Sequence, residues 1–276
     1  MGSRTTWRPV AVSLALATTL LFFWYVATLP VPVHARPGAY ASLMAPRAEA
    51  SAFPGPGRVW RAARHVFTHP FRDRGPNRSG ILLQLGLSLA RVLLGFVGAA
   101  AVALPLGFVV GMSPLWRGAL APFIQVLRPI SPLAWMPLAL YTVKGADASA
   151  VFVIFICALW PMLLATSHAV SAVPSTWIEV ARSLETGRLR LALSVLLPAC
   201  APAIVNGMRV SMGIAWLVIV AAEMLVGGRG IGAFVWNSWN DLSLSRVLVA
   251  IFLIGVVGMA LDALFAHLAQ RVSYEA

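Results

Sequence analysis

Apolar residues fall along the chain in long unbroken runs rather than at alternating positions, and polar residues gather in the gaps between them. A helix that crosses a bilayer needs about 20 mostly apolar residues, because each adds roughly 1.5 Å across a hydrocarbon core of about 30 Å. Six stretches meet that requirement: Val10 to Leu29, Val92 to Met112, Ala119 to Tyr141, Ala148 to Val170, Ala203 to Leu225 and Val247 to Ala269. The first follows Arg4 and Arg8, as a secretory signal would, and Val33-His34-Ala35 has the form of a cleavage site. Its apolar run exceeds the roughly 7–15 residues of a signal core, and five more spans follow, so it reads as an uncleaved first span.

The pattern divides the chain into a first span over 1–30, a linker over 31–80, and a core over 81–276 that includes a polar loop, 174–198. Within the linker, Ala39 to Pro56 is rich in Pro, Gly and Ala. Arg58 to Phe67 then sets Val59, Trp60, Ala63, Val66 and Phe67 at helical spacing, either as a helix on the membrane surface or as a solvated loop. With a cytoplasmic N-terminus, Arg117, Arg182 to Arg190 and Arg271 fall inside, in accord with the positive-inside rule, although the arginine-rich linker falls outside.

Composition narrows the class. Of 276 residues, 59% are apolar and 11% charged, and the mean hydropathy is +0.83, whereas a soluble domain carries about 25% charged residues. The 21 Lys and Arg against 9 Asp and Glu give +12, which suits helix orientation or an anionic cargo, and the hydropathy favours a membrane over nucleic acid as partner. Cys157 and Cys200 lie in apolar runs without ligand spacing and read as packing residues, so neither a metal site nor a disulfide is expected. The sole lysine, Lys144, has no P-loop around it, and no catalytic motif is present, so ATP hydrolysis is not expected of this chain.

The polar loop holds the most specific signal. Thr176 to Glu179 matches a capping box, Ile178, Ala181 and Leu184 share one face of a short helix, and Gly187 offers a stop. A second stretch, Arg188 to Leu197, aligns Leu189, Leu193, Leu196 and Leu197 before Pro198 and Pro202 end it. Glu179-Val180-Ala181, followed at a fixed distance by Val195-Leu196-Leu197-Pro198, resembles the signature of ATP-binding-cassette importer permeases, with Glu185 where that signature has glycine. That departure is shared with the nitrate, bicarbonate and cyanate branch. Three further strings resemble the same branch: Leu127-Arg-Pro-Ile-Ser-Pro-Leu-Ala-Trp-Met-Pro137, Ala215-Trp-Leu-Val-Ile-Val-Ala-Ala-Glu-Met-Leu225 and Gly228-Arg-Gly-Ile-Gly-Ala-Phe-Val-Trp236.

The resemblance implies an all-α, type I importer permease fold with six spans, in a bacterial inner membrane. It implies a homodimer with the path between copies, partner ATPase subunits that use ATP and magnesium, and an extracytoplasmic solute-binding protein. The cargo it points to is a small anion, nitrate first, with bicarbonate, cyanate and sulfonate or taurine as alternatives; an ATP-independent channel or secondary carrier is the reading from another class. The loop would couple to the ATPase through Glu179, Ala181, Arg182, Leu184, Glu185 and Gly187, with Arg188 able to pair with acidic groups of the partner.

Ionisable side chains at membrane depth ask for a partner or a wet cavity. Arg128, beside Pro129, Pro132 and Pro137, marks a broken helix. Arg209 is expected near the inner end of its span and Glu223 near the outer end, too far apart to pair, so both join Arg128 as path candidates while Asp262 partners an arginine. Gly107 to Gly111 is a close-packing pair, His168 reads as interfacial, and Trp24, Trp160 and Trp177 are expected near span ends.

Overall fold

The computed structural model describes residues 7–29, 53–71, 75 and 79–272; most of the expected linker, including Val33-His34-Ala35, lies outside them, as do the side chains of Arg182 and Arg188. Among the described residues every regular element is helical. Two helices precede the core, α1 (Trp7–Ala27) and α2 (Pro56–Phe67). The core follows as α3 (Ile81–Met112), α4 (Pro114–Leu127), α5 (Pro132–Val143), α6 (Ala146–Ser171), α7 (Ser175–Ser183), α8 (Arg188–Leu191), α9 (Leu197–Val226), α10 (Ile231–Asn240) and α11 (Leu244–Val272).

Small residues at every fourth position build the central seam. Gly95, Ala99, Ala103, Gly107 and Gly111 are all buried along one stripe of α3. A Cβ on Gly95 would come within 2.7 Å of Ile154, and one on Gly107 or Gly111 within 2.6 Å of Thr166 or Val170. Apolar side chains gain nothing by leaving lipid for a helix of equal apolarity, so close backbone approach and dispersion hold such helices together. The Gly107–Gly111 pair is therefore half of a longer packing stripe.

The same contacts fix the topology. Residues 95, 107 and 111 meet 154, 166 and 170 in rising order on both helices, so α3 and α6 run parallel. The segment between them must return the chain across the bundle. That segment is α4 and α5, which meet at 94°. The expected continuous span from Ala119 to Tyr141 is thus a broken crossing. Pro129 and Pro132 lack amides and disfavour helical geometry in the residues before them, so the chain turns over Arg128–Ser131.

α9 packs on α6 and runs antiparallel to α11, where the Trp216 indole donates to the Ile254 carbonyl at 3.0 Å. α2 resolves the two readings of residues 58–67 in favour of a helix. It rests on α11 with Val59 buried, while Trp24 of α1 contacts Phe53 and Phe252 and donates to the Pro54 carbonyl at 3.2 Å.

Between α6 and α9 the loop folds differently from its expected form. α7 begins at Ser175, so Thr176 lies within the first turn and the Trp177 amide bonds the Pro174 carbonyl at 3.1 Å; Thr176 is not the cap. Nor do Pro198 and Pro202 end the second stretch. A π turn, Ala192–Leu196, shifts the ladder so that the Leu197 amide reaches Ala192, and the helix continues as α9. Prolines lack the amide that an α-helical ladder needs, and the wider turn absorbs the first of them. It also rotates Leu196 inward, to 1% exposure, away from exposed Leu189 and Leu193.

Candidate functional site

Three groups of side chains carry the chemistry, one at each end of the bundle and one near its middle. The first is α7. Ala181 is buried against Val170, Leu191, Leu196, Cys200 and Ile204, so it anchors the loop to the bundle and is no part of an outward docking surface. Trp177, Val180 and Leu184 form the exposed apolar face, with Glu179 exposed beside them. The face expected to join Ile178, Ala181 and Leu184 does not hold together, because the helix ends at Ser183 and Leu184 turns outward.

The turn that follows α7 is not made by Gly187, which keeps a negative φ. Glu185 takes the left-handed conformation, φ 52°, and Thr186 closes the turn by donating both its amide (3.2 Å) and its hydroxyl (2.6 Å) to the Ala181 carbonyl. A left-handed residue is the usual way to satisfy the last carbonyls of a helix, and glycine is the residue that adopts it without strain.

The second group surrounds Glu223, which is 3% exposed near the end of α9 away from α7. Its carboxylate accepts from the Ser88 hydroxyl at 2.8 Å, from the Arg91 guanidinium at 2.6 Å and from the Gly232 amide at 3.0 Å. Arg91 also donates to the Arg229 carbonyl at 2.7 Å and pairs with exposed Asp147 at 2.8 Å. A buried carboxylate is tolerated only when paired and hydrogen-bonded in this way. The Gly228-to-Trp236 string finds its reason here: Gly230 has φ 153°, and a Cβ on it would strike the Glu223 carboxylate. Arg91 escaped the sequence reading because it stands beside Val92, the expected start of the second span, where a charge looks like a flank.

The third group lies towards the middle of the long helices α9 and α11. Arg209 and Asp262 form a two-pronged pair, both bonds 2.5 Å, between α9 and α11. Arg209 is not near the inner end, as expected, but near the middle of its helix, since that helix begins at Leu197 and not at Ala203. Both side chains remain substantially exposed in the single copy, 36% and 55%. Arg128, at the α4–α5 bend, is exposed, and its guanidinium has no ion-pair or hydrogen-bond partner among the described residues. It lines a cavity of about 250 Å³ together with Cys157, Trp160, Val210 and Ile214. Trp160 is therefore no span-end residue; it lies mid-way along α6. His168 is exposed in the last turn of α6. Arg128, Arg209 and Glu223 are not brought together: Glu223 belongs to the end cluster and the two arginines to the middle.

Residues 103–274 match the family model described as binding-protein-dependent transport system inner membrane component. The chain belongs to this family. The nitrate import permease NrtB of Synechocystis sp. is 41% identical over 81% of this chain and 82% of its own length. Its counterpart from Leptolyngbya laminosa is 42% identical over 79% and 78%. The bicarbonate transport permease CmpB of Synechocystis sp. is 37% identical over 80% of each. Among solved structures, a chain of the inward-facing MetNI methionine ABC transporter superposes with a TM-score of 0.62 at 17% identity, covering 70% of this chain and 96% of that one, which establishes the type I permease fold. The protein is therefore a multi-pass membrane subunit of a transport system, with the permease fold.

Proposed function

We propose that the chain is the permease of an ATP-driven importer for nitrate, working in the bacterial inner membrane as a homodimer with the path at the shared interface. The observation that carries the path is the set of mid-depth charges. Arg128, Arg209 and Asp262 are exposed in one copy, and facing lipid there would be costly, on the order of 2.5–3.5 kcal/mol for a central Arg or Asp on insertion scales. A water-filled path or a second copy removes that cost. The similarity to nitrate import permeases supports the cargo, and the arginines suit an anion.

In this reading ATPase subunits dock on the exposed Trp177 and Val180 of α7 and on Leu184 just after it, with Glu179, Arg182, Glu185, Gly187 and Arg188 around them. The partner ATPases use ATP and magnesium, this chain binds no cofactor, and a solute-binding protein delivers nitrate to the outer end. The related bicarbonate permeases make bicarbonate the competing cargo.

The test is radiolabelled nitrate uptake into vesicles carrying the chain with its ATPases and binding protein. Wild type should require ATP, and Leu184→Asp, which alters an exposed side chain, should abolish uptake while the protein remains folded in the membrane. Uptake without ATP would point to a channel or carrier, and ATP-driven uptake of bicarbonate alone would replace nitrate.

A further inference from the structure

An apolar groove opens where α1, α2 and α11 meet. It holds about 400 Å³, and every residue lining it is apolar, Trp24, Val59, Trp60, Ala63, Phe252 and Val256 among them. Its floor runs from Val249 to Val256 of α11, about 10 Å of helix at roughly 1.5 Å per residue. α9 and α11 are antiparallel, so this first half of α11 lies at the end of the bundle that holds Glu223, away from α7. The rim has a different character. Residues 53–71 include Arg58, Arg61, Arg64 and His65 and no acidic side chain. Arg58 donates to the Phe53 carbonyl at 3.0 Å, whereas Arg61 and Arg64 are exposed and have no ion-pair partner among the described residues. The Arg64 guanidinium stands 5.4 Å from the centre of the Trp60 ring, which is itself exposed and lines the groove. A cation is thus held at the mouth of an apolar slot.

We propose that the groove is a binding site for an anionic phospholipid, with one acyl chain along α11 and the headgroup phosphate at Arg64 and Arg61, which are neighbours on the helix surface at three positions apart. An acyl chain alone would fill an apolar groove anywhere on a membrane helix. The guanidinium at the mouth selects a chain that carries a negative head, since guanidinium donors meet phosphate oxygens two at a time. A second copy of the chain fits these arginines less well. At this end of the bundle the described carboxylates, Asp147, Glu223 and Asp241, are already paired with Arg91 or Arg246. An amphipathic helix at a membrane surface buries its apolar face about 5–10 Å, which matches the length of α11 that the groove follows, and the indoles of Trp24 and Trp60 suit that interface. On the importer reading above the leaflet is the outer one, and the lipid site does not depend on the cargo.

The test uses the permease with its ATPase subunits, stripped of lipid and reconstituted in phosphatidylcholine bilayers with a trace of phosphatidylglycerol or phosphatidylcholine carrying a photoreactive diazirine on one acyl chain. After illumination, labelling of the peptides that contain Ala63 and Phe252 is read by mass spectrometry. Wild type should be labelled at least about fivefold more by the phosphatidylglycerol probe. Arg64→Gln should lower that labelling about fivefold, the scale of one arginine near an anionic lipid, and Arg64→Lys, which keeps the charge, should retain most of it. Val256→Trp, at an exposed position lining the groove, should lower labelling by both probes while the complex stays intact on size exclusion. Equal labelling by the two probes in wild type, or labelling unchanged in Arg64→Gln, overturns the proposal. So does absence of labelling with a photo-crosslinking residue at position 256 capturing the second copy, which gives the groove to a protein partner. Neither nitrate nor ATP enters the readout, so failure of the importer reading leaves this result standing.

Discussion

At the residue scale, backbone conformation explains a departure that composition leaves puzzling. The position after α7 needs a left-handed residue because the carbonyl of Ala181 must be reached by Thr186, and Glu185 adopts φ 52° to allow it. A side chain in this region costs about 1–2 kcal/mol, and glycine recovers it at an entropic cost of roughly 0.5–1 kcal/mol. Glu185→Gly should therefore stabilise the permease by about 0.5–1 kcal/mol, seen as a higher midpoint in thermal unfolding of the detergent-solubilised protein. The same conformational logic applies at Gly230, where the backbone closes over the Glu223 carboxylate and no Cβ fits. Neither requirement is legible from a list of residue types, since left-handed geometry is decided by which carbonyls and carboxylates the fold leaves to satisfy.

At the element scale, the apolar runs made the crossings legible, because hydrophobic length is a property of the local sequence. Their interruptions were less so. Pro129 and Pro132 announced a broken helix, but only the parallel packing of α3 and α6 shows that α4 and α5 together cross the membrane. That packing depends on the small-residue stripe. Gly107→Leu would drive a side chain into Thr166 and Leu163, and overpacking of this kind costs about 1–3 kcal/mol. The expected result is a marked fall in the folded permease recovered from membranes, with Gly118→Leu, which meets open space, as the neutral comparison. In the loop, the i, i+3 pattern placed Ala181 and Leu184 on one face, and the early end of α7 separated them. A helical wheel assumes that the helix continues.

At the scale of the whole molecule, the charges sort by partner. Glu223 is closed in by Ser88, Arg91 and the Gly232 amide, so it reads as a clasp between α3, α9 and the loop before α10. Arg209 and Asp262 join α9 to α11 yet stay open on one side. Replacing Asp262 with Asn leaves an unpaired cation at mid-depth and should lower the amount of folded permease in the membrane. Combining Asp262→Arg with Arg209→Asp should restore that amount, because opposite charges face each other again across the same two helices. Quantifying the folded protein by size-exclusion chromatography distinguishes the two.

The sequence by itself determined that the chain crosses a membrane several times and which loop faces an ATPase in proteins it resembles, because hydrophobic length and short motifs are local. It also named Arg128, Arg209 and Glu223 as costly charges. Only the tertiary structure decided their partners. Arg91 meets Glu223 and Arg209 meets Asp262 across more than fifty positions of chain, and Trp160 joins Arg128 through a bend between them. Such pairings follow from helix register and from the angle of a break, which are set by the packing of glycines and alanines between helices, and no single span contains that information.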